Sequence, residues 1–240
     1  MNAEYITSRK NPLMTRIRRL TASRSYRREQ GLFLGDGAKL LEEALKWDAP
    51  LETVVLTEGV DAPALPDGVR LVQVPGDVMA SISPMESPQG ALFLCRTAET
   101  ALPERLPGAR YLVLDGVQDP GNVGTIWRTA DALGADGLIL VNGCADPWNP
   151  KTVRATMGAC FRLPVYERNA DGLAQWLGEQ GIPLYATALR EDTADVRELP
   201  LERAAVVIGS EGRGVSQSAL NLSDKRVIIP MAGRAESLNA

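Results

Sequence analysis

The sequence contains no histidine among its 240 residues, and this absence excludes several classes of enzyme. Ser-His-Asp and Cys-His mechanisms and His-ligated metal sites all require an imidazole. The three cysteines, Cys95, Cys144 and Cys160, are widely spaced, so neither a disulfide framework nor a thiolate zinc site is predicted. We therefore expect no metal and a location in the reducing cytoplasm. Catalysis must depend on Arg, Lys, Asp, Glu, Ser, Asn or backbone groups.

Long apolar segments are also missing from the sequence. No uninterrupted apolar run approaches the length of a membrane span, and the N-terminus lacks the hydrophobic region of a signal peptide. An apolar content of 45% with 23% charged residues is ordinary for a globular chain with a buried core. We expect no membrane partner.

Positive charge is scarce overall but concentrated at one end. Residues 1–30 carry eight cations against two carboxylates, a net charge of +6, so the rest of the chain carries −10 and the whole −4. Seven of the eight cations are arginines, which suit bidentate phosphate contacts. The cluster indicates nucleic-acid binding; the alternative is a solvated helix face near a terminus. The residues predicted to contact RNA are Arg9, Lys10, Arg16, Arg18, Arg19, Arg27 and Arg28.

The hydrophobic pattern predicts two α/β domains joined by a linker. A helix is expected over residues 11–30, and short strands at 32–34, 53–57, 69–74 and 91–95 indicate a small domain over residues 1–97. Residues 98–109, with Pro103 and Pro107, are the predicted linker. Repeated βα units over residues 110–240, with helices at 123–133, 151–160 and 170–180, predict a parallel, doubly wound sheet.

Three loops that follow predicted strands of the second domain hold the candidate chemistry. The first precedes a helix carrying Arg128, with Asn122 as the predicted N-cap; the second reads G-S-E-G-R-G from Gly209; the third reads I-P-M-A-G-R-A-E-S-L-N from Ile229. Singly, these are a capped helix, a glycine-rich turn and another N-cap. No Walker lysine is present, and the missing first-strand G-x-G-x-x-G makes a nicotinamide dehydrogenase a remote alternative.

Taken together, the three loops resemble the SpoU/TrmH family of RNA ribose 2′-O-methyltransferases, within the SPOUT superfamily. Their order, spacing and strand context agree over about residues 110–240. Residues 5–95 more loosely resemble the small substrate-binding domain, related to ribosomal protein L30e, of many family members. The resemblance implies a C-terminal trefoil knot, S-adenosyl-L-methionine as cofactor, a homodimer and an RNA substrate.

The resemblance also assigns roles by motif position. Arg128, Asn122, Glu211, Ser237 and Asn239 match the catalytic positions. The implied cofactor-binding residues are Thr187, Gly209, Ile229, Met231 and Leu238. Because a guanidinium stays protonated, our hypothesis is that Arg128 binds the phosphate beside the target ribose and stabilises alkoxide charge. Glu211 would then position the hydroxyl or accept its proton. Arg154 is a further candidate RNA contact, with a surface salt bridge as the alternative.

Two expectations concern the chain end and the substrate. The family continues after S-L-N with a valine-rich helix, whereas this sequence ends at Ala240, directly after Asn239. We therefore expect that helix to be missing from the sequence. The N-terminal domain and its arginines favour folded 23S rRNA as the substrate. The alternatives are a tRNA ribose 2′-O-methyltransferase and a catalytically silent RNA-binding protein of the same fold.

Overall fold

A computed structural model describes residues 3–190 and 192–233 of the chain. Contacts divide the chain into two compact units. The first contains residues 1–98 together with 146–162, and the second contains residues 99–145 and those from 163 onward. Residues 146–162, predicted to belong to the second domain, group with the first unit instead. Within the described ranges, none of the helices has both the length and the apolar composition needed to cross a membrane.

Residues 3–98 form five strands and four helices. In chain order these are β1 (Glu4–Tyr5), α1 (Pro12–Ala22), α2 (Arg24–Gln30), β2 (Leu32–Asp36), α3 (Ala38–Lys46), β3 (Leu51–Thr57), β4 (Arg70–Val74), α4 (Gly76–Ala80) and β5 (Ala91–Arg96). The remaining described residues form β6 (Arg110–Asp115), α5 (Pro120–Ala132), β7 (Gly137–Val141), α6 (Pro150–Ala155), β8 (Val165–Glu167), α7 (Leu173–Glu179), β9 (Leu184–Thr187), β10 (Ala194–Asp195), β11 (Ala204–Gly209), α8 (Gln217–Leu222) and β12 (Lys225–Ile228). Short 3₁₀ helices cover Ala159–Phe161 and Val196–Glu198.

The first unit is built on a mixed sheet in the order β1-β4-β3-β5-β2. Strand β4 is parallel to β1 and β3, whereas β5 is antiparallel to both β2 and β3. The apolar face of α1 packs into the same core as the sheet residues; its buried side chains are Leu13, Met14, Ile17 and Leu20. The α/β composition predicted for this part of the chain is therefore present.

The prediction of a single helix over residues 11–30 is wrong, because the helix is interrupted at Ser23. Ser23 is extended (φ −123°, ψ 114°), and its hydroxyl accepts the backbone N–H of Tyr26 to cap α2. Serine is common at this position because its short side chain can accept a hydrogen bond from the unpaired N–H groups in the first turn of a helix. The second helix ends at Gly31, which takes the left-handed conformation (φ 59°) that favours glycine.

Residues 146–162 complete the first unit. Trp148 stacks on Phe33 of β2 with ring centroids 4.9 Å apart, and Phe161 lies 6.3 Å from the same ring. The helix predicted over 151–160 stops at Ala155, because Met157 (φ 49°) and Gly158 (φ 92°) adopt left-handed backbone that cannot continue it. The aromatic side chains of this segment thus pack against the sheet of the first unit.

The second unit contains a seven-stranded sheet in the order β10-β12-β9-β11-β6-β7-β8, and its strand pairs are parallel. The predicted parallel α/β sheet is confirmed. Its strands are short apolar runs such as 137–141, each residue of which is buried, as expected where helices cover a sheet. The two-residue strands β1 and β10 and the short α4 were not predicted, because so few residues carry no periodic signal. The knot and the relationship to L30e remain predictions.

Candidate cofactor and catalytic site

The candidate site lies at the carboxyl edge of the second sheet. Asp115 ends β6 and stands in register with Gly209, which ends β11, while Thr187 ends β9 in register with Val227 of β12. Since β12, β9, β11 and β6 are neighbours, the parallel topology brings their ends together. Ligands of parallel α/β sheets bind at this edge. The polar and glycine residues singled out in the sequence therefore occupy adjacent strand ends.

The first loop leads into α5, and its cap differs from the prediction. Asp119, not Asn122, is the N-cap: its Oδ1 accepts the Asn122 N–H at 3.0 Å, and Pro120 takes the first helical position. Proline fits there because its missing N–H would be unpaired anyway. The Asn122 amide is consequently available for another contact. Further along α5, Arg128 is exposed and forms no hydrogen bond or ion pair with any residue that the structure describes.

Asn122 and Glu211 connect the first and second loops. The Asn122 Nδ2 donates to Glu211 Oε1 at 2.6 Å, although 89 positions separate the two residues. This hydrogen bond, helped by backbone N–H groups of Glu211 and Gln118, lowers the pKa of the Glu211 carboxyl below its usual value. A carboxylate with a lowered pKa binds a proton weakly. Of the two roles considered for Glu211, positioning fits better than proton acceptance.

The second loop folds back on itself after β11. Ser210 N–H donates to Gly214 O at 3.1 Å, and Gly214 N–H donates to Ser210 O at 2.9 Å. A Cβ atom on residue 209 would overlap the Gly214 carbonyl carbon and the Val215 nitrogen. Glycine at 209 is thus required by the loop's own backbone.

The remaining predicted cofactor residues are only partly described. The Thr187 hydroxyl donates to Val207 O at 2.8 Å, so it is engaged within the sheet. Ile229 follows β12 with 51% of its surface exposed, and Met231 is half-buried. Leu238, together with the catalytic candidates Ser237 and Asn239, lies outside the described residues. An exposed isoleucine and a closed, glycine-rich loop at the same sheet edge suit the apolar and backbone contacts that an adenosine group takes.

Two residues of this edge were missed by the sequence reasoning. Asp115 is 3% exposed; its Oδ1 accepts from Asn142 Nδ2 at 2.6 Å, and its Oδ2 accepts the Ser216 N–H at 2.7 Å. Asn142 follows β7 in the left-handed conformation (φ 54°). The available signal was the position of Asp115 at the end of an apolar strand, where a buried carboxylate requires hydrogen-bond donors.

Comparison with known proteins identifies the family. The model of the SpoU rRNA Methylase family matches residues 109–240, more than half of the chain. The chain belongs to this family. An MRM3-like substrate binding domain matches residues 11–92. The resemblance inferred from the three loops is therefore confirmed.

Relatives of the SpoU family resemble the chain along nearly its whole length. The 23S rRNA (guanosine(2553)-2'-O)-methyltransferase RlmP of Bacillus subtilis is 35% identical, over 98% of this chain and 94% of its own. The crystal structure of an AdoMet-bound rRNA methyltransferase from Sinorhizobium meliloti is 31% identical, with a TM-score of 0.84 over 99% of this chain and 92% of that one. The AviRb methyltransferase of Streptomyces viridochromogenes, in complex with AdoMet, is 27% identical with a TM-score of 0.85, over 96% and 93%.

Arg27, predicted to contact RNA, is instead a buried residue of the first unit. Only 3% of it is exposed; its Nε and Nη2 donate to Asp146 Oδ2 at 2.9 and 2.6 Å, and its Nη1 donates to Leu20 O at 2.5 Å. A guanidinium enclosed in this way cannot reach a phosphate. The prediction for Arg27 is therefore wrong.

The other predicted RNA-contacting residues remain at or near the surface of the SpoU-family chain. Arg9 pairs with Asp77 at 2.7 Å and Arg16 with Glu52 at 2.6 Å. The others are Arg18, which donates to Arg9 O; Arg19, which lies 3.8 Å from the Tyr26 ring centroid; Lys10 and Arg28, which are exposed; and the half-buried Arg154, which contacts Met85 Sδ. Exposed pairs contribute about 0–1 kcal/mol, so they can be exchanged for a phosphate contact. These assignments stay predictions.

Proposed function

We propose that this protein transfers a methyl group from S-adenosyl-L-methionine to a ribose 2′-hydroxyl of 23S rRNA. The observation that carries the proposal is the 2.6 Å hydrogen bond between Asn122 and Glu211. It joins two of the three motif loops at the sheet edge where ligands of such folds bind. The relatives named as rRNA methyltransferases support the reaction and the substrate class.

The proposed cofactor residues are those that the motif positions indicate. Four of them lie at or just beyond three adjacent strand ends: Gly209, Thr187, Ile229 and Met231. The fifth, Leu238, is assigned from the motif alone. When bound, S-adenosyl-L-methionine supplies a methyl group activated by its positive sulfur. The chain's own task is to place the ribose hydroxyl and to manage its charge.

Arg128 is the residue we propose for the developing negative charge. Its exposed guanidinium lies on α5, the helix that begins at the candidate site. The planar fork can hold a phosphate beside the target ribose and offset the charge of the alkoxide as it forms. Asn122 fixes Glu211, which orients the hydroxyl. Ser237 and Asn239 are further proposed site residues, assigned from the motif.

The proposal includes a homodimer in the cytoplasm that acts on rRNA rather than on tRNA. The match to a substrate binding domain over residues 11–92 and the names of the relatives support an rRNA target. The three cysteines are free and buried, which agrees with a reducing compartment.

Two measurements test the proposal. Isothermal titration with S-adenosyl-L-methionine should detect binding, and 23S rRNA from cells lacking the gene should accept labelled methyl groups at a ribose. Arg128→Ala should abolish transfer without abolishing cofactor binding, and tRNA serves as the competing substrate. Absence of cofactor binding supports the catalytically silent RNA-binding protein and refutes the enzyme. Transfer to tRNA alone refutes the rRNA assignment.

A further inference from the structure

We infer that Asp115 is a positioning residue that holds the cofactor loop, residues 209–216, at the sheet edge. The inference rests on the proposed function, because it concerns the same cofactor. The carboxylate is enclosed in the second unit and makes its two hydrogen bonds to groups in two different loops. No motif role was assigned to it.

Hydrogen bonds fix the cofactor loop in two places. The Ser210–Gly214 backbone pair closes the loop, but these two hydrogen bonds do not hold residues 215 and 216. Asp115 Oδ2 accepts the N–H of Ser216 at 2.7 Å. Ser216 in turn caps α8, its hydroxyl accepting the Ala219 N–H at 3.3 Å. One carboxylate oxygen thus secures both the end of the loop and the start of the next helix.

The fixed loop contains two residues of the candidate site. Glu211 lies within it and receives the 2.6 Å hydrogen bond from Asn122. Gly209, at the other end, stands in register with Asp115 itself. If the Ser216 anchor is lost, the segment between 209 and 216 can move, and the cofactor surface moves with it. Asp115 therefore acts on the cofactor through the loop.

Residues 115 and 142 can exchange their aspartate and asparagine side chains and keep a hydrogen bond between them. Asp115 accepts two bonds, one on each oxygen; asparagine at 115 can accept one and must donate with its NH₂. In Asp115→Asn the Oδ1 of residue 115 can still accept the Ser216 N–H, and its NH₂ can donate to the Oδ1 of Asn142 once that exposed amide turns over. Asp115→Ala instead removes both acceptors, whereas Asn142→Asp sets two carboxylates against each other. The double variant Asp115→Asn with Asn142→Asp rebuilds both bonds with the direction of one reversed. Asparagine and aspartate both tolerate the left-handed conformation of residue 142.

The experiment measures the dissociation constant of S-adenosyl-L-methionine by titration calorimetry on the full chain, together with amide hydrogen exchange at Ser216. Asp115→Ala and Asn142→Asp should each weaken binding about tenfold, as expected for a buried donor or acceptor left unpaired. Ser216 should exchange faster in Asp115→Ala, whereas Asp115→Asn should keep the exchange and the affinity within about threefold of the wild-type protein. The double variant should return both quantities to within about threefold of the wild-type protein.

Tyr111→Phe is the matched control at the opposite end of β6. The Gly108 N–H donates to the Tyr111 hydroxyl at 3.1 Å, so phenylalanine also leaves a donor of this unit unpaired. It should lower the unfolding temperature without changing cofactor affinity.

Three results overturn the inference: wild-type affinity in Asp115→Ala, no recovery in the double variant, or an equal affinity loss in Tyr111→Phe. If the wild-type protein binds no cofactor, the proposed function fails. The anchoring is then decided by Ser216 exchange, and unchanged exchange in Asp115→Ala refutes it.

Discussion

Replacing Arg27 by methionine should destabilise the first unit by about 3 kcal/mol. Arg27 is 3% exposed and Asp146 is 8% exposed, so the substitution strands a carboxylate in the core. Breaking a buried ion pair from one side costs about 3–5 kcal/mol. Arg24 Nε lies 3.9 Å from Asp146 Oδ1 and retains part of the compensation, which places the effect at the lower end. Methionine keeps the unbranched apolar stem, so little packing is lost.

The assay is urea unfolding followed by tryptophan fluorescence. Trp148 is a suitable probe because it is buried in this unit, stacks on Phe33 and lies close to the ion pair, its backbone N–H donating to Asp146 Oδ1 at 3.2 Å. Arg28→Met, at an exposed neighbouring position, is the control and should change the free energy of unfolding by less than about 0.5 kcal/mol. The double variant Arg27→Met with Asp146→Asn should recover more than half of the loss, because no buried charge remains while Trp148 keeps an acceptor.

Two results would contradict a stabilising buried ion pair between Arg27 and Asp146. If Arg27→Met changes the free energy of unfolding by less than about 1 kcal/mol and flattens the salt dependence of RNA binding, the arginine faces RNA. If the double variant is less stable than Arg27→Met, the stranded charge is not what destabilises the protein.

Three further predictions concern the second unit. Gly209→Ala forces its Cβ into the Gly214 backbone, so cofactor affinity should fall at least about tenfold in calorimetry, and an unchanged dissociation constant contradicts the loop geometry. Asn122→Ala removes the main cause of the lowered pKa of Glu211, so its carboxyl should titrate at higher pH by NMR. Because a depressed pKa stabilises the fold at neutral pH and that stability is lost on acidification through the folded-state pKa, this variant should also lose less stability between neutral and acidic pH. Arg128→Lys keeps the charge without the planar fork and should lower kcat at least about tenfold with cofactor affinity unchanged; near wild-type turnover would contradict the proposed clamp.

The sequence was sufficient for the parts of the fold that short-range patterns determine. Apolar runs such as 137–141 marked the parallel strands, and the polar residues after them marked the functional edge. Ser23 was harder to place, because its extended conformation interrupts a pattern in which apolar residues continue at helical spacing on both sides. Helix interruption there depends on one capping hydroxyl, a contact that periodicity does not reveal.

Contacts between distant positions were beyond the sequence. Arg27 appeared as one of eight similar cations, and what distinguishes it is a carboxylate 119 positions away. The capping role of Asp119 and the backbone clash that requires Gly209 likewise depend on the folded loops. The motif identified which residues matter at the edge of the second sheet, but the reasons for Asn122 and Gly209 came from three-dimensional contacts.

The carboxylates at the candidate site are hydrogen-bonded by the protein, which stabilises their negative charge and fixes their positions. Asp115 accepts from Asn142 and Ser216, and Asp119 accepts the Asn122 N–H. Glu211 accepts the Asn122 amide, and its lowered pKa shows that these donors stabilise its charge. The positive end of the α5 dipole lies beside Asp119 and offsets part of the negative charge of that carboxylate. Arg128, on the same helix, is an exposed cation that can bind a phosphate.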